Sequence, residues 1–112
     1  MRKELSYQLT LRLCFEEKSF GPGPMRLLEG VRDTGSLHRA AGEMGMAYSK
    51  AWKLIRKLEQ DWGFAIMVRR SGGLGGGGSA LTEEGKDLLE RYEKMLAEVN
   101  QAADAAMKKY FF

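Results

Sequence analysis

The chain has 112 residues, 44% of them hydrophobic and 29% charged, which suits one globular domain with a modest core and excludes a disordered segment. No apolar run approaches the ~18 residues of a membrane span, and the basic start Met1-Arg2-Lys3 leads into alternating sequence that does not read as a signal peptide; a cytoplasmic location is expected, with no membrane partner. With one cysteine, Cys14, and one histidine, His38, neither an intrachain disulfide nor a Cys/His metal site is expected, and no cofactor.

In chain order, Tyr7, Leu9, Leu11, Leu13 and Phe15 alternate with polar residues and Cys14, the period of a half-buried strand. Phe20-Gly21-Pro22-Gly23-Pro24 interrupts, and Pro24 suits the first position of a helix. Met25, Leu27, Leu28 and Val31 form that helix's apolar stripe, and Thr34-Gly35 ends it. Ser36 reads as the N-cap of a short second helix through Arg39, Ala40, Ala41 and Met44, broken at Gly45. A third helix is expected from about Ala47 to Asp61. Residues 65–70 read as a strand, a glycine-dense stretch follows, and Ala80-Leu81 returns as a second short strand. Thr82-Glu83-Glu84 then opens a long helix, an N-cap followed by acidic residues at the positive end of the dipole. The predicted fold is mainly α with a small β component: a winged helix-turn-helix over 1–81 with an N-terminal strand, and a long C-terminal helix over 82–112.

Two helices meeting at a tight turn need small residues where their axes cross and one tolerant of positive φ. Ala41 and Gly45 supply both, although an ordinary helical hairpin would use the same spacing. The third helix is more informative. Ala51, Leu54, Ile55, Leu58 and Trp62 cluster on one side; Ser49, Lys53, Arg56 and Gln60, flanked by Lys50 and Lys57, lie opposite. Net charge is only +3, yet residues 47–81 hold six basic and two acidic groups. A solvated helix face would show the same balance. Basic, hydroxyl and amide groups on one face also suit phosphates and base edges. Tyr48 sits at the end of the helix that enters a groove and serves equally well as a packing residue, while Trp52 is expected to be partly buried.

Gly73-Leu74-Gly75-Gly76-Gly77-Gly78 matches GxGxxG after a strand and before a helix. A dinucleotide-binding unit needs a further strand after that helix, and the remaining sequence stays helical. The stretch fits the tip of a wing with Arg69 and Arg70 at its base, aimed at DNA backbone or minor groove; a loop with no role is the alternative. In the last helix, Leu88, Tyr92, Met95, Val99, Ala102 and Ala106 follow alternating spacings of four and three, with Leu89, Leu96, Ala103 and Tyr110 alongside. A 3.5-residue repeat over roughly 40 Å of helix predicts a dimer seam at those six residues. Packing on its own domain explains the first turns equally well.

The stretches Phe20-Gly21-Pro22-Gly23, Leu27-Leu28-Glu29, Thr34-Gly35-Ser36-Leu37, Ala40-Ala41, Met44-Gly45-Met46, Tyr48-Ser49 and Ala51-Trp52 resemble the N-terminal domain of ModE-type molybdate-dependent regulators. The likeness continues through Gly72-Gly73, Gly75 to Gly78, Leu81-Thr82 and Gly85, spanning roughly residues 5–95, and the fold is also similar to the LysR-type winged helix-turn-helix. The resemblance implies a homodimer on double-stranded DNA, with the helix from Ala47 to Asp61 as recognition helix and residues 65–81 as wing. The expected DNA-binding residues are Ser36, Tyr48, Ser49, Lys50, Lys53, Arg56, Lys57, Gln60, Arg69, Arg70, Gly75 and Gly76. Full-length relatives carry C-terminal oxyanion-binding domains, whereas this sequence ends at Phe112; either a separate effector-sensing protein supplies any molybdate response, or the regulator is constitutive, or the sequence is one domain of a longer product.

The expected function is therefore sequence-specific transcriptional regulation. An enzyme is not expected, because no nucleophile, base and orienting group assemble from this composition. A protein–protein adaptor or an architectural DNA-binding protein on the same fold are the alternatives.

Overall fold

The computed structural model describes residues 3–70 and 78–112. Two short strands, β1 (Leu13–Cys14) and β2 (Lys18–Phe20), precede three helices, α1 (Pro22–Thr34), α2 (Leu37–Glu43) and α3 (Tyr48–Trp62). Strands β3 (Met67–Arg69) and β4 (Ser79–Leu81) follow, and α4 (Glu83–Phe111) ends the chain. β1 pairs antiparallel with β2; β3 pairs antiparallel with β4 in the register Met67↔Leu81, Val68↔Ala80 and Arg69↔Ser79. This is the expected helical order with a two-stranded wing.

The helix boundaries follow local chemistry. α1 starts two residues earlier than Pro24 suggests, with Pro22 in the first turn, where its missing N–H goes unneeded. It ends at Gly35, whose φ of 71° is left-handed. The Ser36 hydroxyl accepts from Arg39 N at 3.1 Å and caps α2. Gly45, at φ 65°, makes the turn into α3. The Thr82 hydroxyl accepts from Gly85 N at 2.9 Å and donates to the Ala65 carbonyl at 2.6 Å, capping α4 and tying it to the segment entering the wing.

The N-terminal strand is much shorter than the alternation predicts. Only Leu13–Cys14 pairs, and residues 3–12 form no sheet. A strand needs a neighbour to bond, and β2 reaches only this far back. Leu5, Tyr7, Leu9 and Phe15 are exposed. Instead the Tyr7 hydroxyl reaches α4, bonding the Asn100 carbonyl at 3.2 Å and the Asp104 carboxylate.

One core joins all the helices. Leu27, Leu28 and Val31 of α1, Leu37, Ala40 and Ala41 of α2, Ala51, Ile55 and Leu58 of α3, Ile66 and Met67 of the wing, and Leu88, Leu89 and Tyr92 of α4 are buried together. Each large aliphatic side chain so buried stabilises by about 1.5–3 kcal/mol. Phe20 meets Tyr92 edge-on at 4.9 Å, and the Tyr92 hydroxyl donates to the Leu11 carbonyl at 2.7 Å. Its burial raises the Tyr92 pKa above the usual phenol value. Leu96 still packs against this core, and beyond it α4 runs on as an arm in a molecule 55 Å along its longest axis. No helix among the described residues is long and apolar enough to cross a membrane.

Candidate nucleic-acid interface

α3 carries the candidate surface because its two sides differ so sharply. Ala51, Trp52, Ile55 and Leu58 are buried, while Ser49, Lys50, Lys53, Arg56, Lys57 and Gln60 are exposed. The helix therefore cannot roll without exposing core residues, so the polar face is fixed outward. Lys57 is bridged to Asp61 at 3.0 Å and Arg56 to Glu59 at 3.2 Å. Among the described residues, neither Lys50 nor Lys53 forms an ion pair.

A groove of about 490 Å³ runs along this face, lined by Ser49, Trp52, Lys53, Arg56, Lys57, Gln60 and Asp61. A second cleft of about 380 Å³ lies where the helix-turn-helix meets the wing, lined by Ser36, Leu37, His38, Tyr48, Arg69, Arg70, Gly78 and Ser79. Ser36, Tyr48, Arg69 and Arg70, predicted separately, thus come together at one place. Gly75 and Gly76 lie outside the described residues.

The wing is closed by a bond between its own two arms and anchored to the rest of the fold at two points. Ser79 N donates to the Gly35 carbonyl at 2.8 Å, tying β4 to the turn between α1 and α2. Arg70 N donates to the Gly78 carbonyl at 2.8 Å. From α3, a Glu59 carboxylate oxygen accepts from Ile66 N at 2.8 Å and Met67 N at 3.4 Å. The backbones that carry the cations of helix and wing are thereby tied to one another.

His38 and Glu59 were not among the predicted site residues, whereas Trp52 was expected to be partly buried. His38 lines the second cleft and packs its ring 5.6 Å from that of Tyr48. Glu59 acts as a tether, though its position four residues after the buried Ile55 was a signal that it leans toward the domain. Trp52 is buried, and both Arg56 and Arg69 place their guanidinium groups within 5 Å of its ring centroid, at 4.9 and 4.8 Å.

The predicted dimer residues divide along α4. Leu88 and Tyr92 are in the chain's own core, Met95 is 44% exposed, Val99 is half-buried, and Ala102 and Ala106 are exposed. Among the described residues, no three His, Cys, Asp or Glu side chains come together as a metal set.

Residues 24–86 match the family model of bacterial regulatory helix-turn-helix proteins of the lysR family. The chain is similar to the DNA-binding transcriptional dual regulator ModE of Escherichia coli strain K12, with 33% identity over 97 residues, 86% of this chain and 37% of that protein. It is also similar to the molybdenum transport protein ModE of Azotobacter vinelandii, with 34% identity over 80 residues, 71% of this chain and 30% of that protein. The chain thus spans about a third of the length of these relatives. In fold it is similar to the BenM DBD in its complex with catB site 1 DNA, with TM-score 0.59, 22% identity, and coverage of 79% of this chain and 92% of that one. ArgP from Mycobacterium tuberculosis gives TM-score 0.55 and 26% identity, covering 78% of this chain and 30% of that one. A winged helix-turn-helix with these matches across most of its length belongs to the lysR family of bacterial regulatory helix-turn-helix proteins.

Proposed function

We propose that this chain is a sequence-specific double-stranded DNA-binding module of a transcriptional regulator, acting as a homodimer. The observation that carries this reading is the continuity of the exposed polar face of α3 with Arg69 and Arg70 at the wing base. In this reading α3 enters the major groove: Ser49, Lys53, Arg56 and Gln60 face base edges, and Lys50 and Lys57 meet phosphates. Ser36, Tyr48, Arg69 and Arg70 hold the adjoining backbone or minor groove. Family membership and the ModE-like relatives support it. Residues 1–81 supply the DNA-binding part and 82–112 the dimerisation helix.

Dimerisation is supported by the exposed apolar side chains of α4. Met95, Tyr110 and Phe111 are 44%, 69% and 67% exposed, on an arm whose earlier turns are already packed. A second copy laid along Met95, Val99, Ala102 and Ala106 removes part of that surface from water. It also presents two recognition helices for inverted half-sites.

In vitro selection from a random duplex library at near-physiological salt tests the whole reading. Enrichment of an inverted repeat supports a dimeric, specific regulator. Retention without enrichment makes the protein architectural, and no retention makes it an adaptor.

A further inference from the structure

Two guanidinium groups from different parts of the proposed DNA-facing surface converge on one indole. Arg56 lies four residues after Trp52 on α3, and Arg69 is the last residue of β3. Their central carbons stand 4.9 and 4.8 Å from the Trp52 ring centroid. Glu59 pairs with Arg56 at 3.2 Å, whereas Arg69 forms no ion pair among the described residues. Two like charges this close repel, and the negative π face of indole, the strongest among natural side chains, offsets that repulsion.

The indole N–H does not explain a tryptophan here. Its Nε1 is buried with no hydrogen-bond partner, so as a donor it opposes the fold. A phenylalanine would fill much of the same space without leaving that atom unsatisfied. What tryptophan adds is ring area and π density, and both arginines use them.

We propose that Trp52 is a positioning residue for nucleic-acid binding. It holds Arg56 of the recognition helix and Arg69 of the wing strand at a set separation, so the two elements meet a duplex with their cations already arranged. Trp52, only 7% exposed, acts through these two side chains rather than by contact. Pre-arrangement counts because a long, rotamer-rich side chain otherwise loses its freedom at the moment of binding. The inference rests on the DNA-binding reading above and deepens it.

The test compares wild type, Trp52→Phe and Trp52→Leu, each also in an Arg56→Gln/Arg69→Gln background, for affinity to a labelled duplex across a sodium chloride series. With both arginines present, Trp52→Phe is expected to weaken binding about 3-fold and Trp52→Leu about 10-fold. The salt slope stays unchanged because no cation is removed, whereas each Arg→Gln lowers it by about one. In the background lacking both arginines, Trp52→Phe is expected to cost nothing further. An equal loss in both backgrounds shows that the ring acts through packing alone and overturns the proposal, as does unchanged affinity with both arginines present. If Trp52→Leu does not fold, the phenylalanine series carries the same comparison. In free wild-type protein, the Nε–Hε NMR signals of Arg56 and Arg69 are expected to carry ring-current shifts; their absence also overturns the proposal. Wild type that keeps these shifts but binds no duplex overturns the DNA-binding reading, and the positioning role with it, while leaving the arginine–indole contact standing.

Discussion

Glu59 on α3 accepts the backbone N–H of Ile66, 2.8 Å away, and through it α3 fixes where the wing begins. Its other oxygen takes Arg56 at 3.2 Å. The carboxylate side chain is 15% exposed and the Arg56 side chain 63%, so the ion pair is largely screened and contributes little. The hydrogen bond to Ile66 is the stronger term, since losing it strands a donor at a buried residue. Replacing Glu59 by leucine is expected to cost about 1–3 kcal/mol, read as the shift in urea midpoint. Glu59→Gln keeps an acceptor oxygen and should cost clearly less. Equal costs for the two variants would show that charge, not the acceptor, holds the wing.

Gly85 lies in the first turn of α4 where the helix crosses the wing, and a Cβ there would overlap the Ile66 carbonyl oxygen. That oxygen also accepts from Thr82 N at 2.9 Å, so it is not free to retreat. Helix propensity alone favours alanine over glycine by about 1 kcal/mol; the clash is expected to win, leaving Gly85→Ala destabilised by about 1–3 kcal/mol. Gly42 in α2 is the control, with nothing within 4 Å of its Cβ position. Gly42→Ala should stabilise by about 0.5–1 kcal/mol. Thermal melts of both variants decide whether close approach or propensity governs each site.

Glu29 and Glu93 face each other between α1 and α4, with Arg32 donating to both Glu93 oxygens at 3.0 and 3.3 Å. Burial first, then the hydrogen bond and repulsion from Glu93, raises the Glu29 pKa above the ordinary glutamate value. An acid whose pKa is raised by folding binds its proton more tightly in the native state. Its contribution is present at low pH and is lost as pH rises through the folded pKa. Glu29→Gln should therefore be slightly more stable than wild type at pH 7, the gap closing as pH falls through the carboxylate range. The gain is small because solvent screens the group. A gap that widens toward low pH would reverse the assignment.

The division of α3 was legible in the sequence because a period of 3.6 separates Ala51, Ile55 and Leu58 from Lys53, Arg56 and Gln60, and burial follows that period. Caps were legible too: Ser36 and Thr82 each precede an apolar-periodic run and bond the N–H three residues on. The N-terminal strand was not. Alternation at Tyr7, Leu9 and Leu11 records which faces differ, but pairing needs a second strand, and none reaches residues 3–12. The repeat along α4 was ambiguous, because a 3.5-residue period cannot tell packing on the chain's own core from packing on a copy; Leu88 and Tyr92 pack on the chain's own core. Long-range contacts such as Arg69 over Trp52 leave no local period at all.

Lys53 is exposed on α3 and free of ion pairs among the described residues, so its charge is not committed within the chain. Lys53→Ala is expected to keep the fold, since no burial is lost, and to weaken duplex binding. If it meets a phosphate, the slope of log affinity against log salt falls by about 0.9 and the loss is uniform over sequences. If it meets a base edge, discrimination at one position drops by about 1–3 kcal/mol with less change in slope. Unchanged affinity for selected and random duplexes would remove Lys53 from the interface and argue against α3 as the recognition helix.

Met95 is 44% exposed, at the point where α4 leaves its own core, and its neighbours along the repeat, Val99, Ala102 and Ala106, leave room for a second helix. A glutamate there costs the isolated chain little, because water already reaches the position, yet a seam would bury its charge. Met95→Glu is therefore expected to leave helical circular dichroism and the melting temperature nearly unchanged while weakening self-association by about tenfold or more. Sedimentation equilibrium across a concentration series reads this directly. A dimer of wild-type strength in the variant would move the interface off this face, toward the exposed Leu5, Tyr7 and Leu9 beside the end of α4. A wild-type chain that stays monomeric at every concentration would leave inverted half-sites without their geometric basis.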